Sequence, residues 1–245
     1  MRWVDGRVSV EDTVSAPHRV AGRALRDSFL PGMAALTFGL IRARGRALAL
    51  GPWDLLRFGV PKTTGSAVEW PIDGGLLAGA PGGTWRLQSS GGRLKATATR
   101  YRPRLPGLVY AASQLPIHHA LTRLYLLRLR GREPAPGPTA TSADRLRAAA
   151  IDLALCASLA AVATRRRPRL RIMLGIAVAY HVACWTISGR TLGGAVMRQK
   201  VVAIDGSRLT PAQALLRFAA LPLSWVRGRP DHDEISCSEV ISLEP

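Results

Sequence analysis

The stretch RLRAAAIDLALCASLAAVAT, residues 145–164, decides the fold class because it is apolar along most of its length and yet contains an aspartate, Asp152. Its apolar part, residues 146–164, is followed by a second apolar run at residues 172–188. A membrane-spanning helix needs about 20 residues, with a range of about 17–25, and both runs qualify. The alternative is a soluble helical core, since buried helices are also apolar on all sides. Two adjacent runs of this length favour membrane insertion.

Asp152 lies seven residues after Arg145, so that both side chains share one face of the predicted helix. Seven residues rise about 10.5 Å, whereas helical side chains in direct contact are three or four residues apart. We therefore expect Asp152 to bond mainly to another helix, to a water molecule or to an arginine such as Arg217. Carboxyl groups in membrane segments either form hydrogen bonds or ion pairs that hold neighbouring helices together, or they mark ion paths. Both roles are open for Asp152.

The chain is strongly basic, with a formal net charge of +18, and its lysines are only Lys62, Lys95 and Lys200. Such a charge suits anionic partners, either nucleic acid or lipid headgroups. Nucleic-acid binding favours clustered aromatic residues and a basic helix, but aromatic residues make up 6% of this chain and its arginines are scattered. The basic clusters RLRGRE and RRRPRLR flank apolar runs. The predicted partner is therefore a bilayer with anionic headgroups, not nucleic acid.

The proline-rich stretch GREPAPGPTATSAD, residues 131–144, predicts a linker between two domains. Residues 1–130 predict an α+β domain. Residues 145–245 predict an α-helical membrane domain with two transmembrane helices and a short third helix, for which Thr210 is the N-cap and Pro211 the first residue.

In the first domain, residues 14–41 predict a helix that Pro31 and Gly32 break or kink. Short strands follow, and TWRLQSSGGRLKATATRY, residues 84–101, predicts a β-hairpin around a glycine-rich turn. Residues 108–130 predict a long helix broken or bent at Pro116. The predicted order is therefore helix, several strands and long helix.

Several motifs after the linker resemble the RDD family, which is named for one arginine and two aspartates. They are Arg145, Ala148 and Asp152 in the first helix, GRTLGG at residues 189–194, VVAIDG at residues 201–206, Arg217 in a later helix, the pair His232 and Asp233, and Val240 with Ile241. The resemblance covers roughly residues 143–242. Gly194 stands where the family usually has a lysine, and HDEISCSEV lacks the basic residue and Gly-Thr often seen after the His-Asp pair. These departures put in doubt any activity that those positions have in relatives.

The resemblance implies an integral membrane protein with few helices and a largely undefined biochemical role. Ion or proton exchange has been proposed for some relatives, so a transport-associated role is our first hypothesis. The alternative is a membrane-anchored module that binds a lipid or other apolar ligand through residues 1–130, whose order of elements is similar to START-like helix-grip domains. The candidate residues are the polar set Arg145, Asp152, Arg217 and Asp233 and the loop motif Gly189, Arg190, Thr191, Leu192 and Gly193.

No pair of a nucleophile and a base supports an enzyme, and the three cysteines form no CxxC pair. His118 and His119 are adjacent and so point in different directions on a helix, which makes a poor metal pair. We predict no catalytic residue, metal or cofactor. The N-terminus MRWVDGRVSVEDTV has charges where a signal peptide needs an apolar stretch, so we expect a multi-pass protein of the cell membrane with a cytoplasmic N-terminal domain. The orientation of the hairpin at residues 165–171 and a homo-oligomeric state are left open.

Overall fold

The computed structural model describes residues 1–164 and 170–243 and divides into two compact units, Met1–Gly131 and Arg132–Pro245. The predicted fold class is confirmed. The first unit combines a large antiparallel sheet with helices, and the second is mainly helical and contains two candidate membrane helices and a short helix. Of the hairpin predicted at residues 165–171, residues 165–169 lie outside the described residues.

Within residues 1–131, all of which the structure describes, ten strands form one antiparallel sheet. They are β1 (Arg2–Val4), β2 (Arg7–Ser15), β3 (Ile41–Arg44), β4 (Ala47–Leu50), β5 (Trp53–Phe58), β6 (Lys62–Thr63), β7 (Ala67–Gly74), β8 (Ala78–Ala80), β9 (Gly83–Ser90) and β10 (Arg93–Pro103). Their order in the sheet is β1-β2-β10-β9-β7-β5-β4-β3, while β6 pairs with β7 and β8 with β10. The helices are α1 (Gly22–Leu36), α2 (Gly107–Ala112) and α3 (Gln114–Arg130).

The core of the first unit lies between the sheet and α1. Leu25, Phe29 and Met33 are spaced four residues apart and are all buried, as expected for one face of a helix. The ring of Phe29 lies 5.1 Å from that of Trp70 and 5.7 Å from that of Trp85. These aromatic side chains account for much of the apolar burial that holds α1 to the sheet.

The helix predicted over residues 14–41 is wrong at both ends. Val14 belongs to strand β2, where it pairs with Leu94 of β10, and Ile41 begins β3. The pairing of β2 with β10 along most of its length overrides the local helical pattern. Pro31 does lie inside α1, but it is exposed, so that its ring faces away from the sheet.

The hairpin predicted over residues 84–101 is present as β9 and β10, which pair in register across Gly91 and Gly92. The long helix is interrupted, as predicted, but the break is at Ser113 and not at Pro116. Pro116 is in the first turn of α3, where a backbone N–H has no partner within the helix, so a proline is tolerated there.

The second unit contains five helices and two strands among its described residues, 132–164 and 170–243. They are α4 (Ser142–Thr164), α5 (Leu170–Ile187), α6 (Leu192–Val196), β11 (Gln199–Ala203), α7 (Pro211–Arg227), α8 (Asp231–Ile235) and β12 (Ser238–Ser242). Strands β11 and β12 pair antiparallel. The stretch predicted as a linker contributes to this unit, because the Ala140 N–H donates to the Val240 carbonyl of β12 over 2.9 Å and α4 begins at Ser142.

The start of α7 agrees with its sequence signals. Thr210 is the N-cap and accepts a hydrogen bond from the Gln213 N–H over 3.3 Å, while the Gln213 side chain accepts from the Thr210 N–H over the same distance. This reciprocal capping box satisfies two of the backbone donors that a helix leaves free at its start.

Helices α4 and α5 are long and apolar enough to cross a membrane. Only 22% of the apolar window of α4 and 6% of that of α5 are buried within the unit, whereas the core helix of a soluble protein would be mostly buried. Leu153, Val162, Leu170 and Leu174 are each more than half exposed. These apolar surfaces favour the bilayer over water as the surroundings of both helices.

Candidate functional site

A cavity of about 520 Å³ lies in the second unit, among α4, α5, α7, α8 and the start of β11. The side chains of three apolar residues form part of the cavity wall, namely Leu146, Trp185 and Leu221. The ionisable and amide side chains that line it are Arg145, Asp152, His181, Gln199, Arg217, Arg229 and His232. Three of the four residues in the predicted polar set therefore line one cavity, and the fourth, Asp233, binds two of them.

Asp233 lies between two guanidinium groups. Its Oδ2 accepts a hydrogen bond from Arg145, its Oδ1 accepts one from Arg217, and both contacts are also ion pairs. Arg217 and Asp233 are buried, with 3% and 5% of their surface exposed. Arg217 also donates to the Ser238 hydroxyl over 2.5 Å, and its guanidinium lies 5.2 Å from the ring centre of Trp185. We call Arg145, Asp233 and Arg217 the arginine–aspartate cluster.

The charge of this cluster is set by the competition between burial and its arginines. Burial acts to raise the pKa of the Asp233 carboxyl, but the nearby charges of Arg217 and Arg145 outweigh it and hold that pKa below its ordinary value. Asp233 is therefore ionised at neutral pH. Two guanidinium groups around one carboxylate leave the cluster with one net positive charge.

His232 borders the cluster and is uncharged at neutral pH. Burial, reinforced by the charge of Arg217, lowers the pKa of its imidazole to about 4. Its Nε2 lies 3.4 Å from an Arg145 nitrogen, which can only donate, and its Nδ1 lies 2.7 Å from the Ser224 hydroxyl. These partners fit a neutral ring with its proton on Nδ1.

The lowered pKa of His232 predicts a pH dependence of stability. An unfolded chain protonates this imidazole near pH 6.5 and the folded unit near pH 4, so stability should fall as pH decreases from about 6.5 to about 4. Cys156, Cys184 and Cys237 all lie in the second unit, and a thiol-reactive dye during heating therefore reports its unfolding. His232→Gln should flatten this part of the Tm profile. The exposed His18→Gln variant is the control, and an unchanged slope in His232→Gln would refute the assignment.

Asp152 lies in a separate polar contact between α4, α5 and α6. Its Oδ1 accepts hydrogen bonds from the Tyr180 hydroxyl over 2.8 Å and from the Gly193 N–H over 2.9 Å. Its Oδ2 lies 4.0 Å from His181 Nε2. Asp152 thus bonds to other helices, as expected, but its partners do not include Arg217, which binds Asp233 instead.

The loop motif at residues 189–193 positions the donors of this contact. Gly189 has φ +77° and its carbonyl accepts from the Val201 N–H over 2.8 Å, which joins the end of α5 to β11. Thr191 is the N-cap of α6, and the Leu192 N–H donates to the Tyr180 hydroxyl over 2.6 Å. Arg190 is exposed. The motif therefore places the start of α6 against Asp152.

Tyr180, His181, Gln199 and His232 belong to this site but not to the polar set predicted from the sequence. Tyr180 and His181 are polar residues inside the second apolar run, which is a signal for a role within the membrane domain. Gln199 gives no comparable signal, because a glutamine at the start of a strand is ordinary. Among the described residues, no group of three or more His, Cys, Asp and Glu side chains could hold a metal ion.

Comparison with known protein families gives a match in the second unit. Residues 170–242 match the RDD family, and the predicted resemblance is confirmed over this range, which runs from α5 to β12. Helix α4, with Arg145 and Asp152, precedes the matched residues, and the similarity of the first unit to helix-grip domains is not confirmed. The curated proteins and solved structures contain no match to this chain. The family match and the two exposed apolar helices together indicate a membrane protein.

Proposed function

We propose that the C-terminal unit, of which residues 170–242 match the RDD family, exchanges protons or cations within the membrane, with Asp152 as the exchanging group. The observation that supports this most directly is the position of Asp152. It is a carboxyl group with 4% exposure on a helix long enough to span a bilayer, and it lines the cavity. Ionisable residues at such positions are costly, and those that face a cavity mark ion paths and proton relays as well as polar contacts between helices.

The neighbours of Asp152 suit a group that gains and loses a proton. Its Oδ1 is held by two donors, while Oδ2 lies toward His181. His181 Nδ1 is 2.8 Å from the Ala177 carbonyl, which can only accept, so Nδ1 holds a proton, and in the neutral ring Nε2 then has a lone pair. The 4.0 Å between Nε2 and Oδ2 is too long for a direct hydrogen bond. One bridging water would connect the two groups.

Proton flux through Asp152 is testable in vesicles that contain the purified full chain and a trapped pH-sensitive dye. Asp152→Asn keeps the size and the acceptor oxygen but cannot ionise, so we expect cation-driven proton flux to fall at least about tenfold. Asp144→Asn is the matched control, because Asp144 is in the first turn of the same helix and pairs with Arg147 at the surface. An Asp152→Asn protein that resists carbonate extraction and retains its flux would refute the proposal.

The alternative, binding of a lipid or other apolar ligand by the first unit, is less well supported. The side chains of Phe29, Phe58, Trp70, Trp85 and Tyr125 contact one another between α1, α3 and the sheet. This space is filled by the protein itself. A cytoplasmic location of the first unit, a multi-pass arrangement in the cell membrane and self-association remain predictions from the sequence.

A further inference from the structure

Three large apolar side chains are exposed at one edge of the sheet in the first unit. Phe38, Leu40 and Trp53 are 76%, 68% and 60% exposed. The strand register brings their positions together, because Ile41 of β3 and Trp53 of β5 both pair with Leu50 of β4. Neighbouring strands are about 4.8 Å apart, so the starts of β3 and β5 lie about 10 Å from each other. Phe38 and Leu40 directly precede β3, and we call these three residues the apolar tip.

The loop that presents Phe38 is fixed by hydrogen bonds. The Ile41 N–H donates to the Thr37 hydroxyl over 3.0 Å, and the Gly39 N–H donates to the Ala34 carbonyl over 2.9 Å. Phe38 has φ +52°, in the left-handed region that a bulky residue rarely adopts. Such a conformation persists only where the surrounding structure holds it. The exposed ring of Phe38 therefore belongs to a built turn.

Arginines surround the apolar tip. Arg42 donates from Nε to the Gly39 carbonyl over 3.2 Å, and Arg44 donates to the Pro52 carbonyl over 3.0 Å, so both guanidinium groups lie beside the tip. Arg44 also pairs with Asp54. A hollow along the same edge is lined by further charged side chains, so that its charged residues are Arg44, Arg46, Arg57, Asp54 and Asp73. With Arg42 included, four arginines face two aspartates, and the edge has two net positive charges.

An apolar tip among arginines matches the surface of an anionic bilayer. Tryptophan is enriched where membrane meets water, and arginines near a membrane surface are attracted to anionic headgroups. Single exposed apolar residues are ordinary on a protein surface, whereas a group of them marks a contact site. A second copy of the chain fits this edge less well, because a twofold contact would bring two positive surfaces together. The chain also keeps the edge close to lipid, since α3 ends at Arg130 and the candidate membrane helix α4 begins at Ser142.

We infer that the first unit docks on the bilayer surface through this edge. Phe38, Leu40 and Trp53 insert among the headgroups, and Arg42 and Arg46 contact the phosphates of anionic lipids. Docking weakens at high salt, because salt screens attraction between exposed charges. The inference relies on the membrane location of the second unit and is independent of the proposed proton exchange at Asp152, whose site contributes no residue to this surface.

The test attaches a bimane fluorophore to Leu40→Cys in a full chain whose three native cysteines are replaced by alanine. Each nanodisc holds one chain, so that a second copy cannot cover the label. In nanodiscs with phosphatidylglycerol we expect the label to be shielded from acrylamide, a neutral quencher in water, and to be quenched by nitroxides on the lipid acyl chains near the headgroup. Val4→Cys is the matched control, because Val4 is apolar, 51% exposed and on β1 at the opposite edge of the sheet. Its label should stay accessible to acrylamide.

Charge variants measure the contribution of the arginines. Arg42→Gln and Arg46→Gln should each lower the ratio of docked to undocked first unit about fivefold, the factor expected for one arginine near an anionic surface. Trp53→Ser, phosphatidylcholine in place of phosphatidylglycerol, and high salt should each also expose the label. In neutral detergent without lipid, every variant should show the acrylamide access of the unmodified tip, which confirms that the loop has kept its structure.

Three results would overturn the inference. They are equal acrylamide access of the labels at residues 40 and 4 in anionic nanodiscs, a label at residue 40 that is shielded in detergent without lipid, and docking that neither arginine variant weakens. The second result would mean that another part of the chain covers the tip. Asp152→Asn should dock as the wild type does, so a failure of docking is distinct from a failure of the flux experiment.

Discussion

Replacement of Asp233 by alanine is expected to lower the free energy of unfolding of the second unit by about 3–5 kcal/mol. Asp233 is the carboxylate between Arg145 and Arg217, and without it two positive charges face each other with no anion between them. Arg217 is 3% exposed, so nearly all of its surface is out of contact with water. The loss is therefore mainly the cost of an uncompensated buried charge.

Dye labelling of the three cysteines during heating measures this loss in the second unit, and a decrease in Tm of about 10 °C or more is expected. Glu234→Ala is the matched control, because Glu234 follows Asp233 in α8 and is exposed. It should change the free energy by less than about 0.5 kcal/mol. The double variant Asp233→Ala/Arg217→Met should recover part of the loss, since it removes the unpaired charge. A Tm of Asp233→Ala equal to that of Glu234→Ala would contradict the assigned role of the cluster.

The sequence predicted the members of the polar set better than their pairing. Arg145 and Asp152 share a helix face, but they belong to different contacts, since Arg145 binds Asp233, which lies 88 positions further along the chain. Such a contact depends on how α4 packs against α8, and helical spacing does not encode it. The expectation that Asp152 bonds to another helix follows from rise per residue alone, whereas its partners Tyr180 and Gly193 depend on where α6 begins.

Local signals in the chain predicted several elements of the fold because the physical cause lies in a few adjacent residues. The glycines between β9 and β10 and the capping box of α7 are of this kind. The helix predicted over residues 14–41 was wrong at its start because β2 pairs with a strand more than 70 residues away. This pairing outweighs the local helical pattern. The shift of the break from Pro116 to Ser113 has a more local reason, namely that a first-turn proline loses no helical hydrogen bond.

A second large loss of stability is expected for Gly193→Ala. Helix α6 approaches α4 so closely that a Cβ on Gly193 would lie 2.0 Å from the carbonyl oxygen of Ala148 and 2.8 Å from its carbonyl carbon. Both are backbone atoms, so no side-chain rotation can relieve the overlap and the two helices must move apart. Small residues commonly permit such close helix contacts in membrane proteins. We expect a loss of about 3 kcal/mol, at the upper end for overpacked sites.

This displacement should also affect the proposed exchange group, because the Gly193 N–H that donates to Asp152 moves with α6. Gly193→Ala is therefore expected to lower both the Tm from cysteine labelling and the proton flux. Gly175→Ala is the matched control within α5, since a Cβ there meets no described atom within 4 Å. It should be neutral or stabilise by up to about 1 kcal/mol, the difference in helix propensity between glycine and alanine. Wild-type stability in Gly193→Ala would show that α6 is not packed against α4 through this glycine, and the geometry around Asp152 would then lose its support.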